Sequence, residues 1–85
     1  MSIKVLFFAR IRDELGVAHC EVDWPEHGMD LAALQAALVQ RGGETWAEVL
    51  GADNVIRAVN HEVSAMDTGL ADGDEVAFYP PVTGG

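Results

Sequence analysis

Residues 2–10 read Ser2-Ile3-Lys4-Val5-Leu6-Phe7-Phe8-Ala9-Arg10, an alternation of side chains that is typical of a β-strand. Successive side chains of a strand point to opposite faces of the sheet, so this strand has two distinct faces. The more apolar face, which we expect to join the core, carries Ile3, Val5, Phe7 and Ala9. The other face carries Phe8, a large aromatic side chain that would point away from the core.

Periodicity and turn residues predict seven further segments after this strand. They are a helical turn at 11–15, a strand at 18–24, a main helix at 30–41, a short helical segment around Trp46, and strands at 54–60, 62–65 and 75–79. Asp30 suits the start of the main helix and Gly42-Gly43 its end. Asn60-His61 and Asp72-Gly73-Asp74 are the expected turns before the last strands.

A main helix between two hairpin-like pairs of strands is an α+β layout, with the helix packed on one face of the sheet. The last strand, 75–79, needs a partner. If it lies parallel to the first strand, the result is the mixed sheet of the ubiquitin-like β-grasp, although periodicity alone does not force this pairing. We expect residues 1–79 to form this domain and residues 80–85 to leave it as an extended tail.

Composition excludes several classes of function. A chain of 85 residues is one domain, and its net charge of −9 disfavours binding to nucleic acid. Its apolar stretches are too short to cross a membrane, and the absence of a signal-peptide pattern predicts a cytoplasmic location. The single cysteine, Cys20, is expected to point inward from its strand, and His19, His27 and His61 lack the spacing of a metal site.

The chain ends in Pro80-Pro81-Val82-Thr83-Gly84-Gly85, which predicts a thin tail with a free carboxylate. Two prolines hold the backbone extended, and glycines without a Cβ atom let it enter a narrow channel. ATP can activate a carboxylate as an acyl-adenylate, and a sulfur nucleophile can then displace AMP to leave a thiocarboxylate. Each step needs an enclosing enzyme, and none needs a pocket on the carrier itself.

These residues resemble the small subunits of molybdopterin synthase, in the ubiquitin-like sulfur-carrier family. The resemblance covers nearly the whole chain and is carried by residues 3–10, 58–60, 70–78 and 80–85. A terminal diglycine is common to all such carriers, whereas the Pro-Pro-Val-Thr-Gly-Gly ending and the helical segment near Trp46 favour the molybdopterin member. Residues 25–53 are only loosely similar to the family.

The resemblance implies a β-grasp fold and a function located at Gly84 and Gly85. It implies that a MoeB-type adenylating enzyme uses ATP to activate Gly85, and that a sulfur donor protein then supplies the sulfur. The tail would enter the active site of the large synthase subunit and give sulfur to cyclic pyranopterin monophosphate, forming the dithiolene that binds molybdenum. The family assembles as a heterotetramer, with a small subunit at each end of a dimer of large subunits. The chain would bind no cofactor and would be no enzyme alone.

The sequence also predicts a partner-binding face next to the tail. Phe8 and Tyr79 point outward from the first and last strands, which the β-grasp makes neighbours, and Val63 extends the patch. Large exposed apolar patches often mark partner surfaces. The expected partner contacts, including the tail, are Phe8, Val63, Tyr79, Pro80, Pro81, Val82 and Thr83.

Two other functions use the same tail chemistry. One is a sulfur carrier for another pathway, such as thiamine or amino-acid synthesis. The other is a ubiquitin-like modifier that is joined through Gly85 to lysines of target proteins. Because all three functions begin with activation of the same carboxylate, the tail does not distinguish them.

Overall fold

A computed structural model describes residues 2–80, which form a five-stranded mixed sheet with helices on one face. Its elements are β1 (Ser2–Phe7), α1 (Ala9–Leu15), β2 (His19–Asp23), α2 (Leu31–Gly42), α3 (Glu44–Leu50), β3 (Ile56–Val59), β4 (Glu62–Val63) and β5 (Glu75–Tyr79). The strand order is β2-β1-β5-β3-β4, with β1 and β5 parallel and the other neighbours antiparallel. The predicted β-grasp is confirmed, and Pro81, Val82, Thr83, Gly84 and Gly85 lie outside the described residues.

The core lies between the sheet and α2. The register pairs Val5 with Val76 and Phe7 with Phe78, and all four side chains are buried on the inner face of the two central strands. From the opposite side, α2 contributes three leucines that have no exposed surface, Leu31, Leu34 and Leu38. Burying apolar area of this kind is the main favourable contribution to folding.

The ends of α2 follow the expected capping chemistry. The carboxylate of Asp30 accepts a 2.8 Å hydrogen bond from the backbone N–H of Ala33, which satisfies one of the free donors at the helix start. Gly43 ends the helix with φ 83°, a conformation that glycine adopts without steric cost. Gly42 has a second role that the sequence did not reveal, since a side chain there would collide with the ring of Trp46. That ring packs edge-on against Phe7, with centroids 5.5 Å apart.

The first strand is shorter than predicted. It ends at Phe7 instead of Arg10, and α1 begins at Ala9, whose φ is 51°. Phe8 links the two elements, because its N–H donates to the carbonyl of Phe78 at 3.2 Å while its own carbonyl accepts from the N–H of Ile11 at 3.1 Å. The helix buries Ile11 and Leu15, which lie four residues apart on one side of it.

The predicted turn at Asn60-His61 joins β3 and β4. Both residues have positive φ, 50° and 71°, as a two-residue type I′ hairpin requires. The side chain of Asn60 donates to the carboxylate of Asp74 at 3.0 Å and accepts from the N–H of Glu75 at 3.0 Å. The hairpin is therefore tied to the turn that starts β5, where Gly73 has φ 91°.

Within residues 2–80, no helix has the length and apolar content that a membrane crossing requires.

Candidate docking site at the root of the tail

The two aromatic residues predicted to point outward lie side by side. Phe7 pairs with Phe78 on the inner face, so the residues that follow them, Phe8 and Tyr79, turn to the opposite face. Their rings stack with centroids 4.7 Å apart and an angle of 6° between the ring planes. The predicted neighbourhood of Phe8 and Tyr79 is confirmed by this contact.

The open face of the sheet, which no helix in residues 2–80 covers, is apolar across four strands. Strand pairing places Leu6, Ala77, Ala58 and Val63 in one row. A second row, nearer the tail, is formed by Phe8, Tyr79 and Ile56. We call these seven residues the open face. Phe8 is 37% exposed and Val63 75% exposed, so their large side chains are available to a partner.

Ala77 lies on this open face but is buried. It lies in the central strand with Leu6 on one side and Ala58 on the other, and Ala58 is buried as well. The centre of the open face is therefore flat, and the larger side chains stand at its two ends. Such a surface fits a partner that contacts Phe8 and Tyr79 at one end and Val63 at the other.

The tail that the sequence predicts would begin where β5 ends, directly after Tyr79. Pro80 is half-buried and lines a cavity of about 450 Å³ formed with α1, α3 and the loop that leads to β3. Pro80 therefore lies between two surfaces, the stacked aromatic rings on the open face and this cavity on the helix side. The predicted contacts Pro81, Val82 and Thr83, and the predicted site residues Gly84 and Gly85, remain predictions because they lie outside the described residues.

Arg57 is a residue that the sequence reasoning did not single out. Its guanidinium donates to the carbonyl of Leu50 at 2.6 Å, to that of Val55 at 3.1 Å and to the side-chain oxygen of Gln35 at 2.7 Å. Partial burial lowers the pKa of Arg57 below its ordinary value. Because the ordinary pKa of arginine lies far above neutral pH, the guanidinium stays charged. It also lies 6.0 Å from the ring of Phe78, the residue before Tyr79. Arg57 thus holds the end of α3 and the loop before β3 against the strand that precedes Pro80. Its position in β3, on the same face as the buried Phe78, was the sequence signal that could have identified it as a structural residue.

Cys20 and the histidines offer no alternative site. Cys20 is half-buried against the core, as predicted, and burial raises the pKa of its thiol despite the opposing charge of Arg41. A thiol with a raised pKa is a poorer nucleophile near neutral pH, because the thiolate is the reactive form. Across the described part of the chain, no group of three or more His, Cys, Asp or Glu side chains is placed to hold a metal ion.

Comparison with known proteins gives a consistent result. The model of the ThiS family matches residues 5–85. The chain is similar to a protein of Escherichia coli named molybdopterin synthase sulfur carrier subunit, with 42% identity over 98% of this chain and 99% of that protein. Similar proteins of Haemophilus influenzae and Mycobacterium tuberculosis, at 34% and 32% identity, bear the same name.

Two solved structures extend the comparison. SAMP1 from Haloferax volcanii superposes with a TM-score of 0.83 and 26% identity, covering 100% of both chains. Subunit 1 of the molybdopterin-converting factor from Helicobacter pylori, solved in complex with subunit 2, gives a TM-score of 0.68 and 29% identity over 100% of both chains. The fold is therefore shared with SAMP1 and with a protein that was solved as part of a two-subunit complex.

Proposed function

The chain belongs to the ThiS family, and from that membership we propose that it is the sulfur carrier and small subunit of a molybdopterin synthase. Similarity to named carrier subunits over nearly the whole chain supports this function. The structural observation that carries it is the stack of Phe8 on Tyr79, an exposed aromatic pair at the point where the tail leaves the sheet. A carrier needs a surface at that point to which its partner can bind, and it needs no pocket of its own for the sulfur transfer.

The reacting group in this proposal is the carboxylate of Gly85. A MoeB-type adenylating enzyme binds ATP and joins AMP to the carboxylate, with release of pyrophosphate. Sulfide-level sulfur released by a sulfur donor protein then attacks the acyl carbon, AMP leaves, and a C-terminal thiocarboxylate remains. The carrier supplies only the tail, so ATP is a substrate of the activating enzyme and not a cofactor of this chain.

Delivery of the sulfur takes place on the large synthase subunit. Docking of Phe8, Tyr79 and Val63 against that subunit directs residues 80–85 into its active site. There the thiocarboxylate sulfur forms a bond to a side-chain carbon of cyclic pyranopterin monophosphate and displaces an oxygen substituent of that carbon. Water then hydrolyses the bond between the sulfur and the acyl carbon of Gly85, which restores the carboxylate. Because a dithiolene contains two sulfur atoms, two charged carriers are consumed for each product. The acid, base and substrate-binding groups belong to the large subunit, so the carrier is a sulfur-donating subunit and not an enzyme alone.

The alternative functions are less well supported. A carrier for thiamine or amino-acid synthesis and a protein modifier would share the fold. SAMP1, which superposes on this chain, is a small archaeal modifier protein. The three curated relatives instead share the molybdopterin name, at identities of 32% to 42%. We therefore place the chain in molybdenum cofactor synthesis, and in the cytoplasm.

Reconstitution tests this function. Thiocarboxylated carrier is mixed with the large subunit and cyclic pyranopterin monophosphate, and dithiolene product is measured against carrier consumed. We expect two carriers per product. Deletion of Gly85, or replacement of Gly84 by a bulky residue, should abolish transfer and leave the melting temperature unchanged, because the sequence predicts a domain that ends at residue 79. Full transfer without Gly85 would disprove the carrier function.

A further inference from the structure

The cavity beside Pro80 is a feature that the proposed function does not yet use. We call this cavity of about 450 Å³ between α1, α3 and the α3–β3 loop the root cavity. Its less exposed lining is apolar and consists of Ile11, Val49, Val55 and Pro80. It opens on the helix side of the tail root, whereas the aromatic stack lies on the open face of the sheet.

Two exposed carboxylates line this cavity, those of Glu14 and Glu48. Within residues 2–80, neither of them forms a salt bridge. The positive residue of the lining is Arg10, one helical turn before Glu14, and it forms no salt bridge with either carboxylate. An apolar floor beneath two unpaired carboxylates suits a lysine or arginine side chain, since its stem is apolar and its end is charged.

The two glutamates lie at helix positions that the helix dipole disfavours. Glu14 lies in the last turn of α1, which ends at Leu15, and Glu48 lies in the last turn of α3, which ends at Leu50. Carbonyl groups at the carboxyl end of a helix carry partial negative charge, so a carboxylate there is unfavourable. Both helices thus carry a carboxylate where the helix dipole disfavours it, and both carboxylates line the same cavity.

We propose that the root cavity is a second docking site, which receives a lysine or arginine side chain of the large synthase subunit. This rests on the proposed function, because that subunit must bind a precursor that carries a phosphate. An active site for a phosphate is lined with positive charge, and the entrance through which the tail passes lies next to it. The carrier, with a net charge of −9, meets that surface with Glu14 and Glu48 beside Pro80. The partner thus contacts the chain on both sides of Pro80, at the stack of Phe8 and Tyr79 and at the root cavity.

The test is the double variant Glu14→Gln/Glu48→Gln, which removes both charges and keeps the side-chain size. We expect the dissociation constant for the large subunit to rise about fivefold at low salt, through slower association and a weaker dependence on salt. The melting temperature should stay the same or rise, because the helix ends lose an unfavourable charge. Loss of affinity without loss of stability separates docking from folding.

A matched control removes two charges elsewhere. Glu26 and Asp67 are exposed and do not line the cavity, so Glu26→Gln/Asp67→Asn has the same net charge as the test variant. The control should bind with wild-type affinity to within about twofold. An equal loss in both double variants would assign the effect to overall charge and overturn the proposal.

Two further outcomes would also overturn it. One is weaker binding in Arg10→Gln together with unchanged binding in the glutamate variant, since the cavity would then take an acidic group. The other is a loss of affinity for the adenylating enzyme alone. If the wild-type carrier fails to bind the large subunit at all, the proposed function fails as well. Wild-type binding that the glutamate variant leaves unchanged removes only the second docking site.

Discussion

The two faces of the sheet use neighbouring aromatic residues for different purposes. On the inner face, Phe7 and Phe78 stack with ring centroids 5.7 Å apart, and both are almost completely buried. One residue further along each strand, Phe8 and Tyr79 stack at 4.7 Å on the open face, where Phe8 is 37% exposed. The same parallel pairing of β1 with β5 builds both contacts. The inner pair completes the core, whereas the outer pair leaves apolar area free for a partner.

This difference teaches that aromatic content alone does not locate a docking surface. Phe7 and Phe8 are adjacent in sequence and identical in chemistry, and only the direction of the side chain separates them. A side chain that is already buried contributes its apolar area to folding, while an exposed one can contribute that area to association. Substitutions at the two pairs should therefore affect different measurements.

The largest effect is expected at the inner pair. Phe78→Ala should lower the free energy of unfolding by about 3–5 kcal/mol, because it removes a fully buried ring and leaves a cavity. Small domains have total stabilities of about 5–15 kcal/mol, so this variant should be partly unfolded under mild denaturing conditions. Urea unfolding followed by circular dichroism measures the change.

Phe78→Leu is the control for this first prediction, since it keeps most of the buried volume and should cost clearly less than the alanine variant. A loss below about 1 kcal/mol in Phe78→Ala would show that the inner pair is not essential to the core.

The outer pair should give the reverse result. Phe8→Ala and Tyr79→Ala should each weaken binding to the large synthase subunit by about 2 kcal/mol or more, as truncation of a central aromatic contact does. The free energy of unfolding should change by only about 1 kcal/mol, since the stack lies on the surface. Calorimetric titration and urea unfolding of the same samples provide both numbers.

Tyr79→Phe retains the ring and is the matched variant for the outer pair; it should bind nearly as well as the wild type. If both alanine variants keep their affinity while remaining folded, the carrier docks through a different face.

Local sequence signals predicted the two faces but not all of the boundaries. Alternation correctly assigned Phe7 inward and Phe8 outward, yet it also extended the strand to Arg10, because Ala9 is apolar and continues the pattern. The strand ends earlier because Phe8 is the N-cap residue of α1. Its backbone hydrogen bonds with Phe78 and Ile11 set this boundary, and the polarity of the side chains does not reveal them.

Long-range contacts were the other part that periodicity could not supply. The parallel pairing of β1 with β5 joins segments about 70 residues apart, and it was expected from the family resemblance rather than from the pattern. The burial of Ala77 and the three hydrogen bonds of Arg57 depend on which strands and loops become neighbours. The tail residues Gly84 and Gly85 were assigned from chemistry and resemblance and remain predictions.

A smaller effect is expected at the far end of the open face. Val63 is 75% exposed, so Val63→Ala should leave the free energy of unfolding unchanged. It should weaken binding to the large subunit by less than about 1 kcal/mol, because it removes two methyl groups at the edge of the contact. The same titration as for Phe8→Ala measures it. A loss as large as that of Phe8→Ala would move the centre of the docking surface from the tail root to the β3–β4 hairpin.

The smallest effect is expected at Cys20, on the rim of the inner face. Sulfur transfer should be unchanged in Cys20→Ala, because the carried sulfur belongs to Gly85 in the proposed mechanism. Burial raises the pKa of this thiol in the folded protein, so the folded state keeps its proton at a pH where the unfolded chain begins to lose it. Stability should therefore decline slightly as the pH rises from about 8.5, the ordinary value of a free thiol, towards the raised folded pKa.

Comparing the free energy of unfolding of Cys20→Ala and the wild type at pH 7 and pH 10 isolates this contribution, since the other titrating groups are common to both proteins. We expect the difference between the two proteins to shift in favour of the variant at the higher pH. Mass spectrometry of the charged carrier supplies the functional half of the experiment. Labile sulfur on Cys20, together with an unmodified C-terminus, would contradict the proposed mechanism, because a half-buried side chain on the inner face would then be carrying out the role assigned to the tail.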